Sequence, residues 1–447
     1  MEMGFLQRCG LSFSLHSLSD PMDLGSGGSV DDGRRHRNAY ATMMYMRGTA
    51  RDYDFYVAIR VMLTSLKKLR VNADLLVIAS LDVPLHWIHA LEVEDGAKVV
   101  RVENLKNPYN NHDRFKLTLN KVYAWSLVEY ERVIMLDADN LFLQNTDELF
   151  QCGHFCAVFI NPCIFHTGLF VLQPSSHVFN NMLHDLDMAR DNPDGADQGF
   201  IGGYFPHLLH QPMFHPPSNG STLVGTFRLP LGYQMDASYY YLRLRWSVPC
   251  GPNSVITFPG APWLKPWYWW SWPVLPLGIQ WHEQRRQTLG YESEMPLVLI
   301  QTMLYLGIIV ITRPTITKLW YHRGGADHRR IQTRFKAIFS VFISYALPFL
   351  LIPRTIHPIL GWTLYLLGSF ALLCIAVAAF LLPMLVVLTP WVGIIGVLLV
   401  MAYPWYNDGV VRALSVFGYA FCVSPLLWIS MGKIFGSSLY IEKEASL

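Results

Sequence analysis

The last third of the chain is a series of long apolar runs, and this pattern limits the fold more than any other feature of the sequence. The runs cover about residues 296–312, 335–352, 358–382, 384–403 and 410–431. Each approaches the roughly 20 residues that an α-helix needs to cross a bilayer. We therefore expect an α-helical, multi-span membrane domain of about five spans over residues 296–433, followed by a cytosolic tail over residues 434–447. The third and fourth runs meet at Pro383 without a polar loop, so about four or six spans remain alternatives.

Basic residues between the first two runs predict the orientation of the spans. Short basic loops stay in the cytosol, so everything before the first span would lie on the lumenal side. The sequon Asn219-Gly220-Ser221 agrees with that side. Residues 1–37 have no apolar run of signal-peptide length and are expected to be disordered, so a start further upstream or the first span itself would direct insertion. The basic residues are Arg313, Lys318, Arg323, Arg329, Arg330, Arg334 and Lys336.

Composition excludes several classes of protein. Charged residues make up 15% of the 447 residues and hydrophobic residues 52%, against about 25% charged in soluble domains, so the whole chain is neither disordered nor purely soluble. From Leu297 onward 11 Lys and Arg stand against 4 Asp and Glu, which leaves 24 against 29 before it. That acidic part has no extended basic face, so we expect no nucleic-acid partner. Cys152, Cys156 and Cys163 lack the paired spacing of a zinc site, and disulfides, with Cys250 as a further candidate, are expected in an oxidising lumen.

Short β-branched runs alternate with amphipathic stretches from residue 37 to about residue 232. This alternation predicts an α/β sheet with helices on both faces. Residues 263–295 form a Trp- and Pro-rich segment that we interpret as an interfacial belt, because Trp prefers the level of the lipid headgroups; sugar stacking is the alternative. The expected helices lie at residues 55–68, 119–130 and 177–188, the expected strands at residues 75–79, 99–102, 133–136 and 169–172, and the tryptophans are Trp263, Trp267, Trp269, Trp270, Trp272 and Trp281.

Two carboxylates follow one of the expected strands. The apolar run Val133 to Leu136 continues as Asp137-Ala138-Asp139-Asn140. Side chains two residues apart leave a strand on the same side, at the carboxyl edge where open α/β sheets bind ligands. Two hard oxygen ligands in that position suit Mg²⁺ or Mn²⁺ shared with a diphosphate.

Five ordered blocks between residues 38 and 267 resemble glycosyltransferase family 8, the family of glycogenin. The resemblance implies a GT-A-type nucleotide-sugar-binding domain over residues 38–262. The whole chain, with its Trp-rich segment and spans, is also similar to the plant glycogenin-like group whose activity is glucuronic acid transfer to inositol phosphorylceramide in the Golgi. The blocks are Lys121 to Leu127 with Asp137-Ala138-Asp139, Asn145 to Phe150, Phe165 to Leu172, Asp194 to Gly199, and Gly260 with Lys265-Pro266-Trp267.

The resemblance implies a role for each matched residue. Asp137 and Asp139 would ligate Mn²⁺, or Mg²⁺ in its place, and the cation would bridge the diphosphate of a UDP-sugar donor. The implied catalytic residues are Asp197, Gln198, Asp194 and Lys121, with Asp197 facing the anomeric carbon. The implied donor-binding residues are Thr42 beside uracil, Lys121, Asp137, Ala138, Asp139, His166, Thr167, Gly168, Gly260 beside the diphosphate, and Lys265.

Two of these residues have a structural interpretation as an alternative, and a third position departs from the family. His166 could be a core histidine, and Asp194 could begin a turn, since Asn192-Pro193-Asp194-Gly195 is strong turn chemistry. Thr257 stands where the family has its third metal ligand, a histidine. A threonine hydroxyl is a poor Mn²⁺ ligand, so a water or another side chain would complete the shell, or the metal would bind more weakly.

A glucuronate donor carries one more negative charge than a glucose donor. Its pocket therefore needs a cation or several N–H donors that a glucose pocket lacks. Arg114 is the candidate for that cation because it stands shortly before the matched Lys121 block, and Lys116 is the second. The alternative is that Arg114 pairs with a neighbouring acid on the surface.

These observations predict a multi-pass Golgi membrane enzyme with a lumenal catalytic domain. Its reaction would be retaining transfer of glucuronic acid from UDP-glucuronate to inositol phosphorylceramide, a sphingolipid. One alternative is a transferase acting on a polysaccharide, by xylan substitution or by glycogenin-like starch priming on a tyrosine such as those at positions 239–241. Another is a silent scaffold or a transporter, which the scarcity of ionisable residues in the apolar runs disfavours. The oligomeric state stays open.

Overall fold

The computed structural model describes the chain from residue 38 onward, with gaps. The described residues are 38–109, 115–161, 164–237, 254–258, 265–271, 275–321, 331–380, 382, 384–401, 411, 414–425 and 428–429. The N-terminal segment 1–37 and the tail 434–447 of the predicted domain division lie outside these residues, as do Arg114, Gly260 and the tyrosines at positions 239–241.

The described part is built on a mixed sheet of seven strands. Its order is β3-β2-β1-β4-β7-β6-β8, and β5, β10 and β9 form a separate small sheet. Strands β1 to β4 pair in parallel, whereas β7 pairs antiparallel with both β4 and β6. The strands are β1 Asn38–Met44, β2 Asp74–Ser80, β3 Lys98–Val102, β4 Arg132–Leu136, β5 Asn140–Phe142, β6 Phe155–Asn161, β7 Ile164–Leu172, β8 Thr226–Leu229, β9 Met235–Asp236 and β10 Val255–Thr257.

The strand order creates a crevice between two neighbouring strands. The chain moves outward from β1 through β2 to β3 and then returns to place β4 on the other side of β1. Ligands bind outside the carboxyl ends of strands at such a switch point. The segments that follow Met44 and Leu136 therefore face each other across the crevice.

Helices cover both faces of the large sheet, which confirms the α/β expectation. One core holds Tyr40 and Ile134 with α1, and the other holds Ala39 and Val133 with α3 and α4, because alternate strand residues point to opposite faces. The helices of this part are α1 Arg51–Lys68, α2 Leu85–His89, which continues as a π-turn Ala90–Glu94, α3 Ser176–Asp187, α4 Asp197–Tyr204 and α5 Leu275–Thr288.

The helix predicted at residues 119–130 is wrong in type and length. The structure has a 3₁₀ helix over Thr118–Ser126. The Thr118 hydroxyl donates to the Phe115 carbonyl and the Ser126 hydroxyl donates to the Tyr123 carbonyl, each three residues back. These local bonds match the 3₁₀ spacing at both ends and compete with α-helical bonding.

Within the described residues, four long helices and a shorter helical segment, Leu414–Pro425, occupy the predicted apolar runs. By length and composition, two segments of the described residues could cross a membrane, Met295–Ile316 and Pro358–Phe380. The segments Lys336–Leu351, Val387–Leu399 and Leu414–Pro425 are shorter apolar helices, so five spans are not confirmed. The four helices are α6 Met295–Tyr321, α7 Ile331–Leu351, α8 Pro358–Phe380 and α9 Met384–Met401.

Three tryptophans of the aromatic segment are buried inside the protein. Trp267 and Trp269 are 0% exposed and Trp281 is 1% exposed, whereas Trp270 is half-buried. Trp267 packs against Phe55 of α1, and Trp269 packs against Trp362 of α8. These two rings therefore fill the contact between the α/β part and the apolar helices. Trp263 and Trp272 lie outside the described residues, and the interfacial position of the segment stays a prediction.

One disulfide joins Cys152 to Cys156, at the start of β6. Cys374 and Cys422 are free thiols, while Cys163 and Cys250 lie outside the described residues. A disulfide agrees with the expected oxidising compartment.

Candidate active site

A cavity of about 400 Å³ opens at the crevice between β1 and β4. Its wall is formed by residues after β1, the 3₁₀ helix, the Asp137 turn, the middle of β7 and the start of α4. Most of the predicted site residues line this cavity: Thr42, Lys121, Asp137, Ala138, Asp139, His166, Thr167, Asp194, Asp197, Gln198 and Lys265.

Lys121 is the centre of the charged cluster. The 3₁₀ helix carries it under the crevice, where its Nζ lies 2.8 Å from Asp137 Oδ1 and 2.6 Å from Asp197 Oδ2. It also donates to the Thr167 carbonyl at 3.0 Å. Burial by itself would lower the pKa of Lys121, but the two carboxylates outweigh burial and raise it, so the ammonium stays charged.

Asp197 is the more firmly ionised of the two acids. Burial would raise its pKa, but Lys121 and the Thr167 hydroxyl, 2.6 Å from Oδ2, lower the pKa below its usual value. Burial raises the pKa of Asp137 to about 6, although Lys121 opposes the rise. Asp197 is therefore a fixed negative charge beneath the cavity.

The turn after β4 positions the second carboxylate. The Asp137 backbone N–H and the Asn140 side-chain amide both donate to the Gly168 carbonyl, at 2.9 and 2.6 Å. Asp139 then receives Lys265 Nζ, 2.5 Å from its Oδ2, and Lys265 also donates to the Phe258 carbonyl. The Asp-x-Asp pair is thus held by two lysines from distant parts of the chain.

The family implies a divalent metal here, and the two carboxylates fit one. Lys121 Nζ contacts Asp137 Oδ1 and Lys265 Nζ contacts Asp139 Oδ2, so each aspartate has a second carboxylate oxygen that could ligate a metal. Thr257 is 0% exposed and does not line the cavity, and its hydroxyl has no partner among the described residues. The described part of the chain thus offers two aspartates for a metal, and no group of three His, Cys, Asp or Glu residues.

His166 is a neutral hydrogen-bond donor at the cavity wall. Its Nδ1 accepts the Gly168 backbone N–H at 3.0 Å and the Gln234 amide at 2.8 Å, so Nε2 carries the proton. Burial lowers its pKa, and Lys121 lowers it further. Gly168 permits this packing, because an added Cβ would lie 2.2 Å from Gln234 Nε2.

Asp194 stabilises the turn before α4, which is the structural alternative considered for it from the sequence. Its two carboxylate oxygens accept the backbone N–H groups of Ala196 and Gly199, at 2.8 and 2.9 Å. These bonds fix the start of α4 and so position Asp197 and Gln198 in the cavity. Thr42 also has a structural bond, since its hydroxyl donates to the Leu136 carbonyl and joins β1 to β4.

Four cavity residues that follow β1 were not predicted from the sequence. Tyr45, Arg47, Arg51 and Phe55 line the cavity, whereas Lys116 is exposed and does not. Only their position in the sequence could have indicated them, because they follow strand β1, and its neighbour β4 leads into the Asp-x-Asp turn. No motif marks them.

Comparisons with known proteins show what the chain is similar to. Residues 293–446 match the family described as PGSIP7 C-terminal domain. "Putative glucuronosyltransferase PGSIP7" of Arabidopsis thaliana is 68% identical over 420 residues, which are 92% of this chain and 85% of the relative. "Inositol phosphorylceramide glucuronosyltransferase 1" of Arabidopsis thaliana is 30% identical over 254 residues, 55% of this chain and 45% of the relative. "Glycogenin-2" of Homo sapiens is 33% identical over 176 residues, 39% of this chain and 31% of the relative.

The first of these relatives aligns over 92% of this chain, so the alignment includes both the α/β part with the cavity and the apolar helices. This chain therefore belongs to the glycogenin-like glycosyltransferases of family 8, in the plant group that includes PGSIP7.

Proposed function

We propose that the protein transfers glucuronic acid from UDP-glucuronate to inositol phosphorylceramide at the lumenal face of a Golgi membrane. The donor is supported by the name of the relative that is 68% identical. The acceptor is supported by the name of the relative that is 30% identical over 55% of this chain. The starch-priming alternative depends on glycogenin relatives that align over 39% of this chain.

The observation that carries the proposal is the Lys121 cluster in the cavity. The Lys121 ammonium lies 2.8 Å from Asp137, at the end of the site proposed for the diphosphate, and 2.6 Å from Asp197, at the end proposed for the sugar. It therefore connects the two ends of the site. The volume of about 400 Å³ lies within the ~300–1,000 Å³ typical of ligand pockets. A catalytically silent scaffold would have no need of buried charges arranged in this way.

The residues of the chain have separate tasks in this proposal. Asp137 and Asp139 would hold a divalent cation, which offsets the charge on the UDP leaving group. Lys121 and Lys265 orient the two aspartates and limit their repulsion. Asp197 stays ionised beside the donor sugar, where it binds hydroxyls and stabilises positive charge at the anomeric carbon. His166 donates a hydrogen bond from its Nε2–H to an oxygen of the UDP-sugar.

The connection between the two parts of the protein supports a lipid acceptor. Arg285 of α5 donates to Glu294, directly before α6, and to the Thr355 carbonyl, between α7 and α8. Arg354 donates to the Ala50 carbonyl, directly before α1. The α/β part thus meets one end of three apolar helices, so the cavity would lie close to a membrane surface that those helices enter.

Donor and acceptor profiling tests the proposal. The purified full chain in lipid nanodiscs with Mn²⁺ would be given UDP-glucuronate, UDP-glucose or UDP-xylose together with inositol phosphorylceramide, and products would be read by mass spectrometry. We expect glucuronosylated sphingolipid, and none from the Asp137→Ala/Asp139→Ala variant. Transfer from UDP-glucose to the protein itself or to a glucan, without a sphingolipid product, would contradict the proposal.

A further inference from the structure

We propose that Arg47 binds the C6 carboxylate of the donor sugar and thereby selects a uronate over a neutral hexose. This inference depends on the proposed function, since it explains the donor choice. Lys121 and Lys265 are not candidates for this role, because both are already paired with aspartates.

The backbone around Arg47 is fixed by the carboxylate of Asp52. Asp52, at the start of α1, accepts the backbone N–H groups of Arg47 and Thr49, each at 3.0 Å, and is 3% exposed. Asp52 therefore anchors the loop after β1 without using the guanidinium.

The guanidinium of Arg47 is held by aromatic groups instead of an acid. Its Cζ lies 5.0 Å from the Phe55 ring centroid and 5.2 Å from that of Tyr45, and one Nη donates to the Tyr45 hydroxyl at 2.8 Å. Within the described residues no carboxylate lies within 4.0 Å of it. A planar guanidinium that packs on aromatic rings and has further N–H donors can pair with a carboxylate through two parallel hydrogen bonds.

Arg47 belongs to the wall of the candidate active site. It lines the same cavity as Asp137, Asp197 and Gln198, and so does its partner Tyr45. Burial raises the pKa of Tyr45, Arg47 lowers it, and the charges of Asp137 and Asp197 raise it further. The Tyr45–Arg47 pair thus shares one cavity with the carboxylate cluster that would hold the diphosphate and sugar.

The charge balance of the cavity explains why a further cation is needed. The cluster of Asp137, Asp139 and Asp197 with Lys121 and Lys265 is by itself net negative. The other described charges of the lining are Asp52, Asp194, Arg47 and Arg51. A cation held by Asp137 and Asp139 would serve the diphosphate. A uronate donor adds one more negative charge, and without a counter-charge the acids of the cavity would repel it.

Equilibrium binding to the full chain in nanodiscs with Mn²⁺ tests Arg47. The ligands are UDP, UDP-glucose and UDP-glucuronate, and the proteins are wild type, Arg47→Ala, Arg47→Lys and Tyr45→Phe. We expect Arg47→Ala to weaken the binding of UDP-glucuronate about 10- to 100-fold, because a charge-assisted hydrogen bond to a carboxylate is lost. The binding of UDP and UDP-glucose should weaken less than about twofold. Arg47→Lys should weaken UDP-glucuronate binding less than Arg47→Ala does, because lysine keeps the positive charge but lacks the planar guanidinium. Tyr45→Phe, which removes only a hydroxyl, should weaken UDP-glucuronate selectively by less than Arg47→Ala.

Two outcomes would overturn the inference. An equal loss for all three ligands would mean that Arg47 binds the diphosphate or supports the loop. A selective loss in Arg51→Ala but not in Arg47→Ala would assign the carboxylate to the neighbouring, exposed arginine. Failure of the proposed function is a separate result, since wild-type protein would then bind UDP-glucuronate no more tightly than UDP-glucose and transfer none.

Discussion

At the scale of single residues, Lys121 is the group on which the site depends most. It is 4% exposed and pairs with the buried carboxylate of Asp197 and the half-buried carboxylate of Asp137. Removing one partner of a buried ion pair leaves the other charge uncompensated, which costs about 3–5 kcal/mol. We therefore expect Lys121→Met, measured by thermal unfolding in EDTA, to lower the free energy of unfolding by about that amount.

Lys98→Met is the matched control for Lys121→Met. Its Nζ lies 2.5 Å from Asp74 Oδ2, but the lysine side chain is 51% exposed. Exposed pairs contribute about 0–1 kcal/mol, so this variant should melt almost as wild type does. Equal losses in the two variants would contradict a special role for the buried pair.

Thr257 gives a prediction about the third metal ligand. Its hydroxyl is buried and has no partner among the described residues, and Thr257 does not line the cavity. Thr257→Val should therefore leave Mn²⁺ affinity within about twofold and leave stability unchanged or raised by about 1 kcal/mol. Electron paramagnetic resonance titration of Mn²⁺ measures the first and thermal unfolding the second. A tenfold loss of Mn²⁺ affinity would mean that Thr257 supplies a ligand, directly or through a water.

At the scale of elements, the contact between α8 and the Trp-rich segment depends on one glycine. A Cβ added at Gly361 would lie 2.5 Å from Trp269 Cγ, and Trp269 is 0% exposed. Gly361→Ala should therefore force the helix and the ring apart and lower the melting temperature, at a cost of about 1–3 kcal/mol.

Gly307→Ala in α6 provides the comparison, because a Cβ there would meet nothing within 4 Å. Alanine is a better helix former than glycine, so this variant should be as stable as wild type or more so. If Gly361→Ala melted like Gly307→Ala, the close packing of α8 on Trp269 would not be important for stability.

At the scale of the whole molecule, connectivity predicts a topology. The ends of α6 and α7 near residues 294 and 352 meet the α/β part, so Tyr321 and Ile331 lie at the opposite ends of those helices. Asn219 is exposed on the α/β part. We expect a protease site placed between residues 322 and 330 to be cleaved from outside sealed Golgi vesicles, while a tag at Asn219 is protected. Cleavage of the Asn219 tag in intact vesicles would contradict a lumenal catalytic domain.

Local patterns in the sequence determined the α/β class, α1, α3, the four strands expected around the site and the position of the Asp-x-Asp turn. Each depends on neighbours along the chain, because the alternation of apolar residues and the end of a strand are local properties. The type of helix around Lys121 was not predictable in this way, since side-chain hydrogen bonds from Thr118 and Ser126 compete with the apolar pattern.

The tertiary structure alone decided which distant groups meet. Lys121 reaches Asp197, and Lys265 reaches Asp139, across 76 and 126 residues of chain. The burial of Trp269 and the placement of Arg47 in the cavity likewise depend on which strands become neighbours. These contacts are set by the strand order and by packing between elements, whereas periodicity records only which face of its own element a residue occupies.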